Sequence, residues 1–118
     1  MCFFTNIAPI SFEPELVNIP IMYACSNGKV DQILCPFHKV KENYDRIREN
    51  VKKVMGVRKN VDHGEMLVAQ DPYMTAWFCY LLKSDDEAKD AFVGNQPEIY
   101  KNNDNWQDVQ FKGFNIII

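Results

Sequence analysis

No apolar run in this sequence approaches the roughly 18 residues that a membrane-spanning helix requires; the longest lies around Tyr73 to Leu82. The first residues, Met1-Cys2-Phe3-Phe4-Thr5-Asn6, lack the basic stretch that opens a secretory signal, and Asn6, Pro9, Glu13 and Glu15 interrupt any apolar core for one. Repeats and low-complexity tracts are absent. So is the basic excess of duplex nucleic-acid binders, since the net charge is −3. No stretch carries a motif that fixes a reaction, a cofactor or a resident metal. These absences predict a protein of the cytoplasm that needs no membrane or cofactor and for which nucleic acid is a poor partner.

What is present is the material for a folded core. The 118 residues are enough for one domain, 1–118, and too few for two ordinary ones. They are 47% hydrophobic, 25% charged and 13% aromatic, a globular profile. The four cysteines, at 2, 25, 35 and 79, read as buried thiols in a chain without a secretion signal.

Pro9, Pro14 and Pro20 mark residues 1–19 as an extended N-terminal arm, with one short strand near Phe3 to Ile7. From Ile21 to Leu34 the pattern predicts a β-hairpin turning at Asn27-Gly28, a pair suited to the positive φ angles of a tight turn. Pro36 closes its second strand. Lys39 to Met55 predicts an amphipathic helix with Val40, Tyr44, Ile47, Val51 and Val54 on one face and Gly56 as its cap. Glu65 to Ala69 predicts a strand, and Asp71-Pro72 a turn. Tyr73 to Lys83 is apolar at both alternating positions. The capping pattern Ser84-Asp85-Asp86-Glu87 opens a helix running to Val93, so the segment before it is predicted to be a central strand. Asn95 to Asp108 reads as a loop, and Val109 to Ile118 as a final strand bent at Gly113.

The resulting order is βαββαβ with an arm and a leading hairpin strand. It predicts an α+β fold of ferredoxin-like type, an antiparallel sheet with two helices on one face. A central strand apolar on both sides then needs a cover on the open face, supplied by the arm, a second copy of the chain (a homodimer) or another protein.

Several residues suggest chemistry. Cys35-Pro36-Phe37-His38 resembles the first half of the zinc ribbon of bacterial primases, but no second Cys-x-x-Cys follows. Cys25, His63 and Cys79 complete a zinc site only if folding brings them there. The plainer expectation is a buried Cys35 thiol and a solvent-facing His38 at a helix start. Asp62-His63-Gly64-Glu65 sets an imidazole between two carboxylates but offers no nucleophile beside it. Cys79, between Phe78 and Tyr80, is expected in a sheet interior. Lys39 to Lys59 holds eight basic residues against three acidic ones, most simply a solvated helix face with Glu42–Arg46 and Glu49–Lys53 pairs.

Ala76 to Phe92 is similar to the third strand and second helix of RNA-recognition motifs, without that motif's basic and glycine residues. Tyr80–Leu82, Ala88–Phe92 and Pro97–Tyr100 resemble in order a strand, helix and aromatic segment of the dimeric α/β-barrel monooxygenases, a likeness of topology without a catalytic motif.

The leading expectation is a non-catalytic module that binds another protein, as inhibitors and adaptors do. Its predicted binding residues are the aromatics Tyr73, Trp77 and Tyr80 and the acidic edge Asp85, Asp86, Glu87 and Asp90. Alternatives are a dimeric ferredoxin-like small-molecule binder or enzyme, with a cavity lined by Tyr44, Trp77, Tyr80 and Phe92 and served by His38 or His63, and a single-strand nucleic-acid binder using the aromatics.

Overall fold

Ile21–Ser26 (β2) is buried at every one of its six positions. A strand shielded on both faces reads as a continuous apolar run, the signature of parallel pairing inside a sheet. In the computed structural model, which describes residues 3–5, 13–69 and 71–114, β2 does pair in parallel on both sides. One neighbour is the short strand Phe3–Thr5 (β1). The other is Lys53–Arg58 (β3), in register from Ile21↔Lys53 to Ser26↔Arg58. Trp106–Lys112 (β4) adds antiparallel to β3, giving a mixed sheet in the order β1-β2-β3-β4.

The architecture is α+β, but the ferredoxin-like plait is not what the described residues form. A parallel β2–β3 pair needs a crossover, not a hairpin. After Ser26 the backbone donates once more to β3, from Asn27 N to the Arg58 carbonyl, and then coils into Asp31–Leu34 (α1). Neither Asn27 nor Gly28 adopts the positive φ of a tight hairpin turn. Gly28 is required for space instead, since a Cβ there would lie 2.3 Å from the Asp62 carboxyl carbon.

Phe37–Arg46 (α2) completes the crossover. The expected helix to Met55 ends nine residues early, and Gly56 lies within β3 rather than capping a helix. Val40, Tyr44, Ile47 and Val51 do share a core, with Ile21, Tyr23, Cys25, Met55 and Val57 of the sheet. Val54 points to the opposite core. Lys53 explains the break. Its ammonium is buried and donates to the Tyr44 and Ile47 carbonyls at 2.8 and 2.7 Å, closing the C-terminal turn of α2 from the adjoining strand. It is therefore not part of a solvated helix face. Arg46 is paired with Glu15 rather than Glu42.

The second core covers the other side of the sheet, so helices lie on both faces. It gathers Met22, Ala24 and Val54 from the sheet, Met66 from Met66–Ala69 (α3), Tyr73 and Trp77 from Asp71–Lys83 (α4), Phe92, Ile99 from Glu98–Lys101 (α6), and Trp106. Glu65–Ala69 and Tyr73–Lys83 are thus helical where strands are expected. Thirteen residues suit a helix better than a strand, and Pro72 sits in the first turn, where its missing N–H costs nothing. Tyr73 and Trp77, four apart, supply the buried stripe. Cys79 lies on this helix, partly exposed, not in a sheet interior.

The next helix is the single turn Asp86–Lys89 (α5), capped by Asp85, which accepts from Ala88 N at 3.1 Å, one position later than Ser84. Residues 95–108 are not a plain loop, since α6 and the start of β4 lie within them. Gly113 bends the chain after β4 with φ +78°. The remainder of the expected arm and first strand through residue 12, and the end of the final strand at 115–118, lie outside the described residues. No described helix is long and apolar enough to cross a membrane.

Trp77 is fully buried, within 5.1 Å of the Phe92 ring centroid and edge-on to it. Trp77→Ala is therefore expected to cost about 3–5 kcal/mol, read as a lower midpoint in chemical denaturation. A surface platform residue would cost far less.

Candidate functional site

The residues expected to bind do not form one surface. Tyr73 and Trp77 belong to the core. Tyr73 is also tied by its hydroxyl, which donates to Glu98 at 3.0 Å and accepts from Asn102 at 2.7 Å. Tyr80 is half-buried, with Lys52 Nζ 5.3 Å from its ring centroid. It shares an open cleft of about 250 Å³ with Lys52, Leu81, Ser84, Asp85, Asp86 and Lys89. Asp85, Asp86, Glu87 and Asp90 are all exposed. The structure thus joins Tyr80 to Asp85 and Asp86, with Lys52 and Lys89 offsetting their charge.

A different place is built with more care. Parallel strands present their carboxyl ends at one edge of the sheet, where the crossover loops meet and ligands of α/β folds collect. Here the loop after β2 carries Asp31 and Cys35, and the loop after β3 carries Asp62 and His63. Asp31 is fully buried and both of its oxygens are engaged. Oδ2 accepts from Ser26 N at 2.6 Å, and Oδ1 lies 2.5 Å from His63 Nδ1. Cys35, one helical turn beyond Asp31, is also buried. The donor atoms of Asp31, Cys35 and His63 lie within 4.8 Å of one another, a grouping able to hold a metal ion. His63 keeps about a third of its side chain exposed, the open side of the cluster.

Asp62 fixes this arrangement from beneath. Its carboxylate accepts from Val30 N, Asp31 N and His63 N at 2.7–3.2 Å. It thereby caps the start of α1 and the turn that follows it in sequence. Glu65 reaches back to Asp62 N at 3.2 Å, completing a capping box. The backbone N–H of His63 above all, with those of Val30 and Asp31, holds the Asp62 carboxyl below the ordinary aspartate range against the opposing effect of burial.

Chemically, Asp31 can orient the imidazole, but the neighbouring thiol is not an activated nucleophile. Burial, and then the Asp31 charge, push Cys35 up to about 11. Burial likewise pushes Cys25 up to about 12, with Asp31 and Cys35 adding to it. A catalytic thiol needs the reverse shift and an open approach. Cys25 and Cys35 share one core cluster, where a hairpin would hold the two apart. His38 is exposed on the first turn of α2, as expected, and is not in the Asp31–Cys35–His63 group.

The outer side of the same segment is apolar. Val30, Ile33 and Leu34 at α1 and Phe37 at the start of α2, on either side of the helix break at Cys35-Pro36, are 47%, 81%, 44% and 37% exposed. Lys29, His38 and Lys39, also exposed, border them. In the sequence Val30, Ile33 and Leu34 read as part of a hairpin strand, and Phe37 lies beyond the Pro36 that closes it, so the stripe is not visible there. Sequence reading also missed Asp31, whose signal was its position four residues before Cys35.

No family model matches this chain, and no curated protein matches it.

The folded state prefers ionised Asp62, so its contribution is complete above the ordinary aspartate pKa and is lost as pH falls through the depressed folded value. Asp62→Asn is expected to flatten the acid-side loss of stability seen in denaturation midpoints between neutral pH and about pH 3. An unchanged pH profile would show that the cap carries no such linkage.

Proposed function

We propose that this protein is a non-catalytic interaction module that binds another protein through the apolar stripe of α1 and the start of α2. The observation that carries this reading is the exposure of four large apolar side chains close together in the chain, Val30, Ile33 and Leu34 at α1 and Phe37 at the start of α2. Contiguous apolar surface rimmed by polar residues marks interaction sites, whereas isolated exposed hydrophobics do not. The rim is basic at Lys29 and Lys39, so the fitting partner presents an apolar ridge with acidic margins. The acidic edge at Asp85, Asp86, Glu87 and Asp90 belongs to the other face of the sheet and is a separate surface. The raised pKa values of Cys25 and Cys35 favour binding over thiol catalysis.

The test is a double substitution, Ile33→Asp with Phe37→Glu, at positions exposed enough to leave the core intact. The partner is captured by crosslinking in the native host, then produced separately and titrated against the purified chain. Each apolar anchor is worth about 1.5–3 kcal/mol when fully buried, so the double variant is expected to bind at least about tenfold more weakly. Asp85→Asn with Asp86→Asn is expected to bind as the wild type does. Equal binding by the stripe variant would overturn the reading. Light scattering that finds the wild type dimeric and the stripe variant monomeric would assign the stripe to a second copy instead.

A second reading, small-molecule binding, draws on a cavity of about 360 Å³ on the α4 side of the sheet. Arg58, Tyr73, Glu98, Asn102 and Asn105 supply its polar lining. The Arg58 guanidinium lies 5.6 Å from the Trp106 ring centroid, and its buried Nε has no hydrogen-bond partner among the described residues. A buried donor in that state suits a small carboxylate. On this reading a panel of small carboxylic acids raises the thermal midpoint of the wild type but not of Arg58→Met. No shift with any acid would remove it.

A further inference from the structure

We propose that Asp31, Cys35 and His63 form a site for one zinc-like divalent cation at the carboxyl ends of β2 and β3. The inference is independent of the docking surface. Three observations carry it. First, one sulfur, one nitrogen and one oxygen donor lie within 4.8 Å of one another. That mixed set suits zinc and excludes calcium and magnesium, which take oxygen donors. Second, the donors come from two connections that the parallel β2–β3 pairing brings together, Asp31 opening α1 and Cys35 just past its end, and His63 arriving 28 residues after Cys35. Third, two donors are buried and the third is a third exposed, which leaves an entry and a position for water as a fourth ligand.

The donors start closer together than an ion requires. Asp31 Oδ1 and His63 Nδ1 stand at hydrogen-bond distance, 2.5 Å. An ion held at about 2.0–2.3 Å from each donor takes the place of the proton between them and moves them apart to about 3.3 Å, the separation of two tetrahedral ligands. Cys35 gives its thiol proton to solvent as it ligates. Asp31 Oδ2 stays on Ser26 N, the kind of outer contact that orients a metal-binding carboxylate. The ion would tie α1, a four-residue helix, to the loop after β3.

The experiment uses the full chain, purified free of metal and titrated with Co²⁺. Expected are one equivalent bound, the absorption bands of a four-coordinate ion with a thiolate-to-cobalt charge-transfer band, and their loss when Zn²⁺ is added. Cys35→Ser is expected to abolish the charge-transfer band. His63→Gln, at a partly exposed position, retains the fold by circular dichroism and is expected to weaken binding at least tenfold. His38→Gln is expected to bind like the wild type. The proposal is overturned by any of three results: no band in the wild-type chain, a band that survives in Cys35→Ser or is indifferent to His63→Gln, or a band lost in His38→Gln, which would move the site to the adjacent Cys35–His38 pair.

Discussion

The parallel pairing of β2 with β3 is the constraint from which the rest of the molecule follows. Six residues of each strand run side by side from Ile21↔Lys53 to Ser26↔Arg58. Two parallel strands cannot be joined by a tight turn, so the chain must leave the sheet, form α1 and α2, and return. That crossover covers one face. The helices between β3 and β4 cover the other. Every residue of β2 is consequently buried, and alternate side chains enter different cores: Ile21, Tyr23 and Cys25 on the α2 side, Met22 and Ala24 on the α4 side. The same pairing puts the ends of β2 and β3 together, and with them the loops that carry Asp31 and His63.

Much of the local detail could be read from the sequence. The apolar start of β2, the α2 face of Val40 and Tyr44, the buried Cys35 beside an exposed His38, and the bend at Gly113 are set by short-range chemistry and appear where expected. The failures share a cause. A strand buried on both faces and a helix buried on most of its surface both read as unbroken apolar runs, and their periodicities do not separate them. For Tyr73–Lys83 the expectation of a strand rests on the capping pattern that follows at Ser84, but a capping signal does not bar a helix before it, and α4 and α5 stand in direct succession. Ile47, Val51 and Val54 continue a helical spacing by coincidence, while the chain passes from helix to strand among them.

The candidate site was less legible still, because its residues are meaningful only in pairs that the register creates. Asp62 reads locally as a polar turn residue, and it does cap its own turn. Its other contacts, to Val30 N and Asp31 N, reach back more than thirty positions. Gly28 illustrates the same point from the other side. Asn-Gly is a true signal for a special backbone, but here the demand for glycine comes from the Asp62 carboxylate packed against it, not from a positive φ. A sequence displays the residue and not the distant group that requires it.

These long-range contacts also bear on how an exposed apolar stripe can be maintained. A helix of four residues has no independent stability, since nucleation costs more than one turn returns. α1 lacks a cap of its own, Val30 supplying none. It is held from outside, at its first amides by Asp62 and through the buried Asp31 carboxylate by Ser26 N and the His63 ring. Its inner side is therefore fixed by polar contacts, of which the Ser26 N–Asp31 bond is buried and costly to lose. That leaves its outer side free to carry Ile33 and Leu34 without burying them for the sake of the fold. A segment so anchored loses little conformational freedom when a partner covers it, which is the condition under which a small apolar surface binds well.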